Sequence, residues 1–197
     1  MTGPAPHVVV LGGPNGAGKS TTAHRLLVGA LRVDEFVNAD VIAQGISAFR
    51  PDVAAIDAGR VMLRRLRQLA QRRVNFAYET TMASRTFAPW LTELRDDGYA
   101  IHLIYLWLPS VDLAIARVAE RVKAGGHDVP EATIRRRFRA GLRNFLRLYR
   151  PLADSWRLYD NSDFLSPRLL ARQTGRSMPI VVDATLWRRI EEGDRSE

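Results

Sequence analysis

A three-layer α/β architecture, with helices on both faces of a parallel sheet, is predicted by three features of the sequence. Short apolar runs alternate with helical stretches along nearly the whole chain, and such alternation calls for a parallel sheet covered on both sides. The first run, Val8-Val9-Val10-Leu11, leads directly into Gly12-Gly13-Pro14-Asn15-Gly16-Ala17-Gly18-Lys19-Ser20. A helical pattern from Ser20 to Leu31 leaves that loop. Within the junction, Gly13-x-x-x-x-Gly18-Lys19-Ser20 is a complete phosphate-binding P-loop pattern in its proper strand–loop–helix context. The expected core is therefore a P-loop sandwich built on a five-stranded parallel sheet.

Each element follows from local pattern. Val8 to Leu11 reads as a strand apolar on both faces. Phe36 and Val37 begin a second strand that ends at Asn38-Ala39-Asp40, with a helix from Val41. Pro51 opens a long helix through Arg73, its Ala54, Ala58, Met62, Leu66 and Leu69 close to helical spacing. Asn75 to Tyr78 is a third strand, with Glu79-Thr80-Thr81 at its C-terminal end. Phe87 to Asp97 is helical and stops at Gly98. Tyr99 to Leu108 is the longest apolar run and the best central strand. A helix follows from Val111 to Ala124, then a hinge-like loop, Gly125-Gly126-His127-Asp128-Val129-Pro130. Glu131 to about Tyr149 is a basic helix ended by Pro151. Trp156 to Tyr159 is the fifth strand, closed by Asp160-Asn161-Ser162. Beyond Phe164 the pattern weakens to a small edge strand at Pro179–Val182 and a short helix at Leu186–Glu192. The length suits one domain: residues 1–165 form the P-loop unit, with a lid at about 121–138, and residues 166–197 form an extension packed on it.

The P-loop specifies its own ligand chemistry. Glycines allow successive N–H groups to turn inward around a polyphosphate, and the following helix adds its positive end. Gly13, Pro14, Asn15, Gly16, Ala17, Gly18, Lys19, Ser20 and Thr21 are the expected nucleotide contacts. Lys19 would reach the β- and γ-phosphates and the Ser20 hydroxyl would ligate Mg²⁺. The plainer alternative is a glycine-rich turn. Lys19 is one of two lysines, with Lys123, in a chain that otherwise uses arginine, so a lysine here is a chemical choice.

Ligands of parallel sheets bind beyond the C-terminal strand ends, where the remaining polar candidates fall. Asp40 is placed to take a proton from an attacking hydroxyl; as an alternative it caps the helix at Val41, and one residue can do both. Glu79 could bind a metal-bound water or a substrate hydroxyl, or be a helix-capping or salt-bridged acid. Thr80 offers a hydroxyl to substrate, like Thr81, and is equally an ordinary cap residue. Asn161 could touch a base bound to the P-loop, or belong to a plain turn. Arg117-x-x-x-Arg121, the glycine loop with His127, and Arg135-Arg136-Arg137 could close over a triphosphate; the alternative is a solvated basic face. Successive helical residues turn by about 100°, so not all of Arg135, Arg136 and Arg137 can face inward. His127 lacks a partner at metal spacing and reads as a substrate or loop-ordering residue, not a zinc ligand.

Composition excludes several classes. Cysteine is absent, which rules out disulfides and thiol catalysis and fits a cytoplasmic protein. No stretch is long and apolar enough to span a membrane, and the first residues lack a signal-peptide pattern. The net charge of +8 invites a nucleic-acid ligand, but the arginines are spread over several helices, which fits an anionic small substrate better.

Taken together, Gly12 to Thr22, Asn38-Ala39-Asp40, Glu79-Thr80-Thr81, Arg121-Val122-x-x-Gly125-Gly126-His127-x-Val129-Pro130, Ile134-Arg135-x-Arg137-Phe138 and Tyr159-Asp160-Asn161-Ser162 resemble the zeta-toxin-like group of P-loop kinases. The resemblance covers about Val8 to Phe164. It implies a kinase-type P-loop NTPase fold with an arginine-bearing lid, and phosphoryl transfer from ATP with Mg²⁺ to a hydroxyl. The better known members phosphorylate a UDP-amino-sugar, UDP-N-acetylglucosamine. By that similarity Asp40 matches the general base, Lys19 and Ser20 the phosphate and metal residues, Arg121 and Arg137 the lid arginines, and Glu79 an acid on the acceptor side. An antitoxin is the partner that toxin members imply. The chain is shorter than the toxins, and Asn38-Ala39-Asp40 replaces their Asp-x-aromatic-Arg type of segment. Alternatives from other classes are a kinase for a nucleoside or an RNA 5′-hydroxyl, and a nucleotide-gated ATPase switch.

Overall fold

The N-terminal apolar run forms the middle of the sheet. The computed structural model describes residues 5–27, 33–47, 54–163 and 166–195. Strand β1 (His7–Gly12) pairs in parallel with β3 (Phe76–Thr80) on one side and β4 (Ala100–Trp107) on the other. Val8, Val9 and Val10 have no exposed surface, as expected for a strand covered on both faces. β2 (Glu35–Val37) lies outside β3 and β5 (Ser155–Asp160) outside β4, both parallel. In register, Gly12 stands opposite Thr80 and Tyr105. The chain therefore leaves β1, β3 and β4 at one common rim.

Helices cover the two faces. They are α1 (Lys19–Leu27), α2 (Ala39–Ile46), α3 (Ala55–Gln71), α4 (Phe87–Asp96), α5 (Val111–Lys123), α6 (Glu131–Asn144) and α7 (Ala184–Arg195). One core packs Phe76, Tyr78, Leu91, Tyr105, Phe145 and Trp156 beneath α3, α4 and α7. The other packs Leu11, Ala17, Leu106, Ala114, Val118 and Ile134 beneath α1, α5 and the start of α6. Most predicted elements appear within one or two residues of their expected bounds. The predicted helix start at Pro51 and the segment beyond Leu27 lie outside the described residues.

Two expectations need correction. Among the described residues the sheet has seven strands, in the order β2-β3-β1-β4-β5-β6-β7, not five. β6 (Arg168–Thr174) and β7 (Ile180–Val181) are added antiparallel to the parallel five. Only Leu170 and Ala171 of β6 are fully buried, so its sequence carries little apolar periodicity. With no helix between them, β5 and β6 can pair only antiparallel. α7 then closes on the sheet through Trp187, whose ring stacks 5.7 Å from Trp156. The Arg150 guanidinium sits 5.4 Å from Trp156 and 5.5 Å from Trp187, a cation–π contact to both rings.

The basic helix also departs from regularity. α6 ends at Asn144, and Phe145–Tyr149 form a π-helical turn. The wider turn lets one helix face hold several unlike partners. Phe145 stacks on Tyr105 at 4.6 Å. The Asn144 amide donates to the carbonyls of Met82 (2.9 Å) and Ala83 (3.1 Å), and the Tyr149 hydroxyl donates to that of Ser84. Gly141 presses on the Thr81 carbonyl so closely that an added Cβ would overlap it. The loop after β3 is thus clamped from above by α6. Replacing Gly141 with Ala should destabilise the protein by about 1–3 kcal/mol, because backbone must move to admit the methyl group. Urea unfolding measures this; an unchanged midpoint would refute the clamp.

Candidate active site

Backbone strain shapes the loop between β1 and α1. Gly13, Gly16 and Gly18 have φ of 146°, 76° and 75°, values that favour glycine. A Cβ at Gly13 would lie 2.6 Å from the Leu106 carbonyl, and one at Gly16 2.6 Å from that of Ala114. The loop is held to β4 and α5 with no room for side chains. Asn161, at the end of β5, donates from its amide to the Ala17 carbonyl at 2.6 Å and is itself 1% exposed. Its side chain buttresses the loop and does not line the cavity above it.

Lys19 is 8% exposed, and its ammonium donates to the Pro14 carbonyl at 3.0 Å. Burial lowers its pKa; the carboxylates of Glu79 and Asp40 oppose that shift, and Arg121 and Arg137 add to it. Charges from α2, β3, α5 and α6 therefore converge on one group. Ser20 donates its hydroxyl proton to Glu79 at 2.8 Å, and the Asn38 amide donates to the Ser20 oxygen at 3.3 Å.

Asp40 is not the cap of its helix. α2 starts at Ala39, and the Asn38 side chain accepts from the N–H groups of Asp40 (2.8 Å) and Val41 (3.4 Å). Asn38 takes the capping role that Asp40 could have filled, which leaves the Asp40 carboxylate free to face the site.

Two cavities meet at this point. One, about 560 Å³, is lined by Gly16, Gly18, Ser20 and Thr21 of the loop and by Arg117, Glu120 and Arg121 of α5. The other, about 350 Å³, is lined by Ala43, Met62, Leu63 and Phe87 on its apolar side and by Thr80, Thr81, Ser84, Thr86, His127 and Arg137 on its polar side. Asn15, Lys19, Asp40 and Glu79 line both. The Oγ atoms of Thr80 and Thr81 accept from the N–H groups of Met82 and Ala83, so each hydroxyl proton can still be donated.

The arginines divide by role. Arg121 donates to the His127 carbonyl at 2.6 Å, which draws the glycine loop over the site. Its Nε is buried without a hydrogen-bond partner, as is the Asn15 Oδ1. Arg137 faces the second cavity, its pKa lowered by burial and supported by Asp40. Arg135 is engaged outside by Glu131 and Asp112, at 2.8 and 3.2 Å, and Arg136 is exposed. Arg117 donates to the carbonyls of Asn161 (2.8 Å) and Ser162 (2.7 Å) and ties α5 to the loop after β5. Its spacing from Arg121 was visible in the sequence. Nothing local marked Ser84 or Thr86, which reach the cavity because the loop after β3 is clamped. Among the described residues no cluster of three His, Cys, Asp or Glu exists, and no helix is long and apolar enough to cross a membrane.

Comparison with known proteins agrees with this geometry. A family profile described as an AAA domain matches residues 8–145. An uncharacterized protein of Haemophilus influenzae is 29% identical over 126 residues, covering 64% of this chain and 88% of its own length. The AvrRxo1-ORF1:AvrRxo1-ORF2 complex superposes with a TM-score of 0.78 when solved with sulphate ions and 0.75 with ATP, at 16% identity. That match covers 94% of this chain, which spans only 63% of the length of the matched one. A chain of the PezAT toxin–antitoxin system of Streptococcus pneumoniae matches with a TM-score of 0.64 at 13% identity, over 100% of this chain and 87% of that one. At these identities the structural matches establish a shared fold.

The lowered pKa of Lys19 has a measurable consequence. A bound triphosphate would restore the ammonium's proton affinity, so in the window between the lowered pKa and 10.5 the complex would hold a proton that the free protein lacks. Binding of magnesium–ATP should then take up protons, and affinity should weaken as pH rises through that window. Calorimetry in buffers of different ionisation heat detects the uptake. It should vanish in Lys19→Met; a buffer-independent heat in the native protein would contradict the assignment.

Proposed function

The chain belongs to the AAA-domain family, and from that premise we propose that it transfers the γ-phosphoryl group of ATP to a hydroxyl of a small acceptor. One observation carries the proposal: Lys19 and Asp40 stand in the wall shared by the two cavities, one grasping phosphate and the other facing the acceptor. ATP fills the cavity over the glycine loop, as the likeness to a complex solved with ATP supports. The acceptor fills the cavity between α2, α3 and the loop after β3.

In the reaction the acceptor oxygen attacks the γ-phosphorus, the bond from that phosphorus to the bridging oxygen breaks, and ADP leaves. Asp40 takes the proton of the attacking hydroxyl. The loop N–H groups and Lys19 hold the phosphate oxygens in line. Arg121 and Arg137 neutralise charge on the transferring group, and the 121–138 lid excludes water. The hard oxygens of Ser20 and Glu79, joined at 2.8 Å beside the cradle, suit Mg²⁺. Bound there, Mg²⁺ would neutralise phosphate charge. This machinery falls within the proposed 1–165 unit, and of the 166–197 extension β6 and β7 lengthen the sheet while α7 packs on it.

For the acceptor, the zeta-toxin-like motifs support a UDP-amino-sugar, and the fold match to a chain of the PezAT toxin–antitoxin system supports an antitoxin as partner. The charge of +8 favours one alternative, an RNA 5′-hydroxyl. Incubation with γ-labelled ATP and separate panels of UDP-sugars, nucleosides and oligonucleotides decides between them. Oligonucleotide binding that weakens steeply with salt marks the alternative.

Two variant sets test the chemistry. Asp40→Asn should preserve ATP affinity and slow transfer by on the order of a hundredfold or more. Turnover equal to the native enzyme's would remove Asp40 as base. Arg137→Ala should lower kcat by on the order of a thousandfold, whereas Arg135→Ala should leave it within about twofold. Equal losses at both positions would show that the lid acts only as a basic face.

A further inference from the structure

Across α6 from Arg137 lies a third cavity of about 370 Å³, between α6, α7 and the C-terminal ends of β4 and β5. Phosphoryl transfer as described makes no use of it. Its floor is apolar and partly aromatic, formed chiefly by Trp107, Phe138, Leu142 and Ile190. Its rim carries Arg139, Arg143 and Arg189. Arg139 and Arg143 are one helical turn apart and share a face of α6, and Arg189 comes from α7 opposite.

No described acid forms an ion pair with any of these three arginines. Neighbouring arginines are treated differently: Arg135 has two acids, Arg168 has two, and Arg150 has Glu191. The acid in the wall, Asp160, is engaged by Arg168 at 3.2 Å and by the Ser162 N–H at 2.9 Å. A rim of three like charges around an apolar floor repels itself until an anion enters.

We propose that this cavity is a second ligand site for an aromatic anion of the nucleoside 5′-monophosphate type. A planar ring would cover Trp107 and Phe138, where stacking has a ready surface. A phosphate would meet the guanidinium rim, whose planar forks suit its oxygens better than a point charge would. The site is separate from the ATP cradle, with which it shares no lining residue. Its occupant would brace the face of α6 opposite the one that presents Arg137.

Trp107 supplies the signal for the test. The full chain is titrated with UMP and AMP, and in parallel with uridine and with inorganic phosphate, while tryptophan fluorescence is followed. Lys19→Ala serves as the background that blinds the ATP cradle, and Trp107→Phe verifies the source of the signal. A monophosphate should quench saturably in the Lys19→Ala protein. Uridine should bind at least about tenfold more weakly, and Arg139→Ala/Arg143→Ala should weaken the monophosphate by about tenfold or more, since a hydrogen bond to a charged group is worth that much. Three results would overturn the proposal: no saturable quench up to millimolar ligand, equal binding by the double variant, or loss of binding in Lys19→Ala. The last would place the ligand in the ATP cradle. None of these outcomes depends on whether the chain transfers phosphate.

Discussion

The ammonium of Lys19, 8% exposed and 3.0 Å from the Pro14 carbonyl, is the group around which the rim of the sheet is arranged. A buried cation needs opposite charge or polar oxygens close by. Here the loop supplies the carbonyl, and Glu79 and Asp40 supply the charge from β3 and α2. Two acids beside a lysine would tend to close the site into an internal salt bridge. Two features prevent that closure. Glu79 is occupied by Ser20, and Asp40 is held in the first turn of α2, whose cap is Asn38. The lysine remains directed at the loop, where a phosphate would lie.

Around that group, rigidity and openness are distributed unevenly. The floor is rigid: the glycine loop is pressed on the Leu106 and Ala114 carbonyls and buttressed by Asn161. The loop after β3 is held as well, because α6 clamps it through Gly141, Asn144 and Tyr149. The same helix carries Arg137 into the cavity beside the loop after β3 and Arg139 and Arg143 into the third one. The loop after β3, Arg137 and the third cavity are thereby joined through one element. A shift of α6 cannot move one of them alone.

The family match and the structural matches describe different depths of likeness. The AAA-domain profile covers residues 8–145, which include the glycine loop, Asp40, Glu79, Arg121 and Arg137. β5, β6, β7 and α7 lie beyond it. Those later elements nonetheless complete the core, since Trp156 of β5 and Trp187 of α7 sandwich against Arg150. At 13–16% identity what persists is the fold, which depends on backbone geometry more than on side-chain identity.

Much of the fold and part of the candidate site were legible in sequence for a physical reason. A parallel sheet buries its strands on both faces, so β1 and β4 appear as continuous apolar runs, and the P-loop's glycines mark where backbone must approach an anion. The candidates Lys19, Ser20, Asp40 and Glu79 stood beside such runs, at strand ends. Other features left no local mark. β6 buries only two residues and takes its stability from pairing with β5, so its pattern is faint. Three consecutive arginines are alike in sequence; only the rotation of α6 against the sheet turns Arg137 inward and leaves Arg135 to Glu131 and Asp112. Likewise, whether Asn38 or Asp40 caps α2 depends on where the chain turns after β2. Sequence by itself determined the strand–loop–helix cradle, because that chemistry is local. Tertiary structure alone decided which charges meet there, because they come from elements far apart in the chain and brought together by packing.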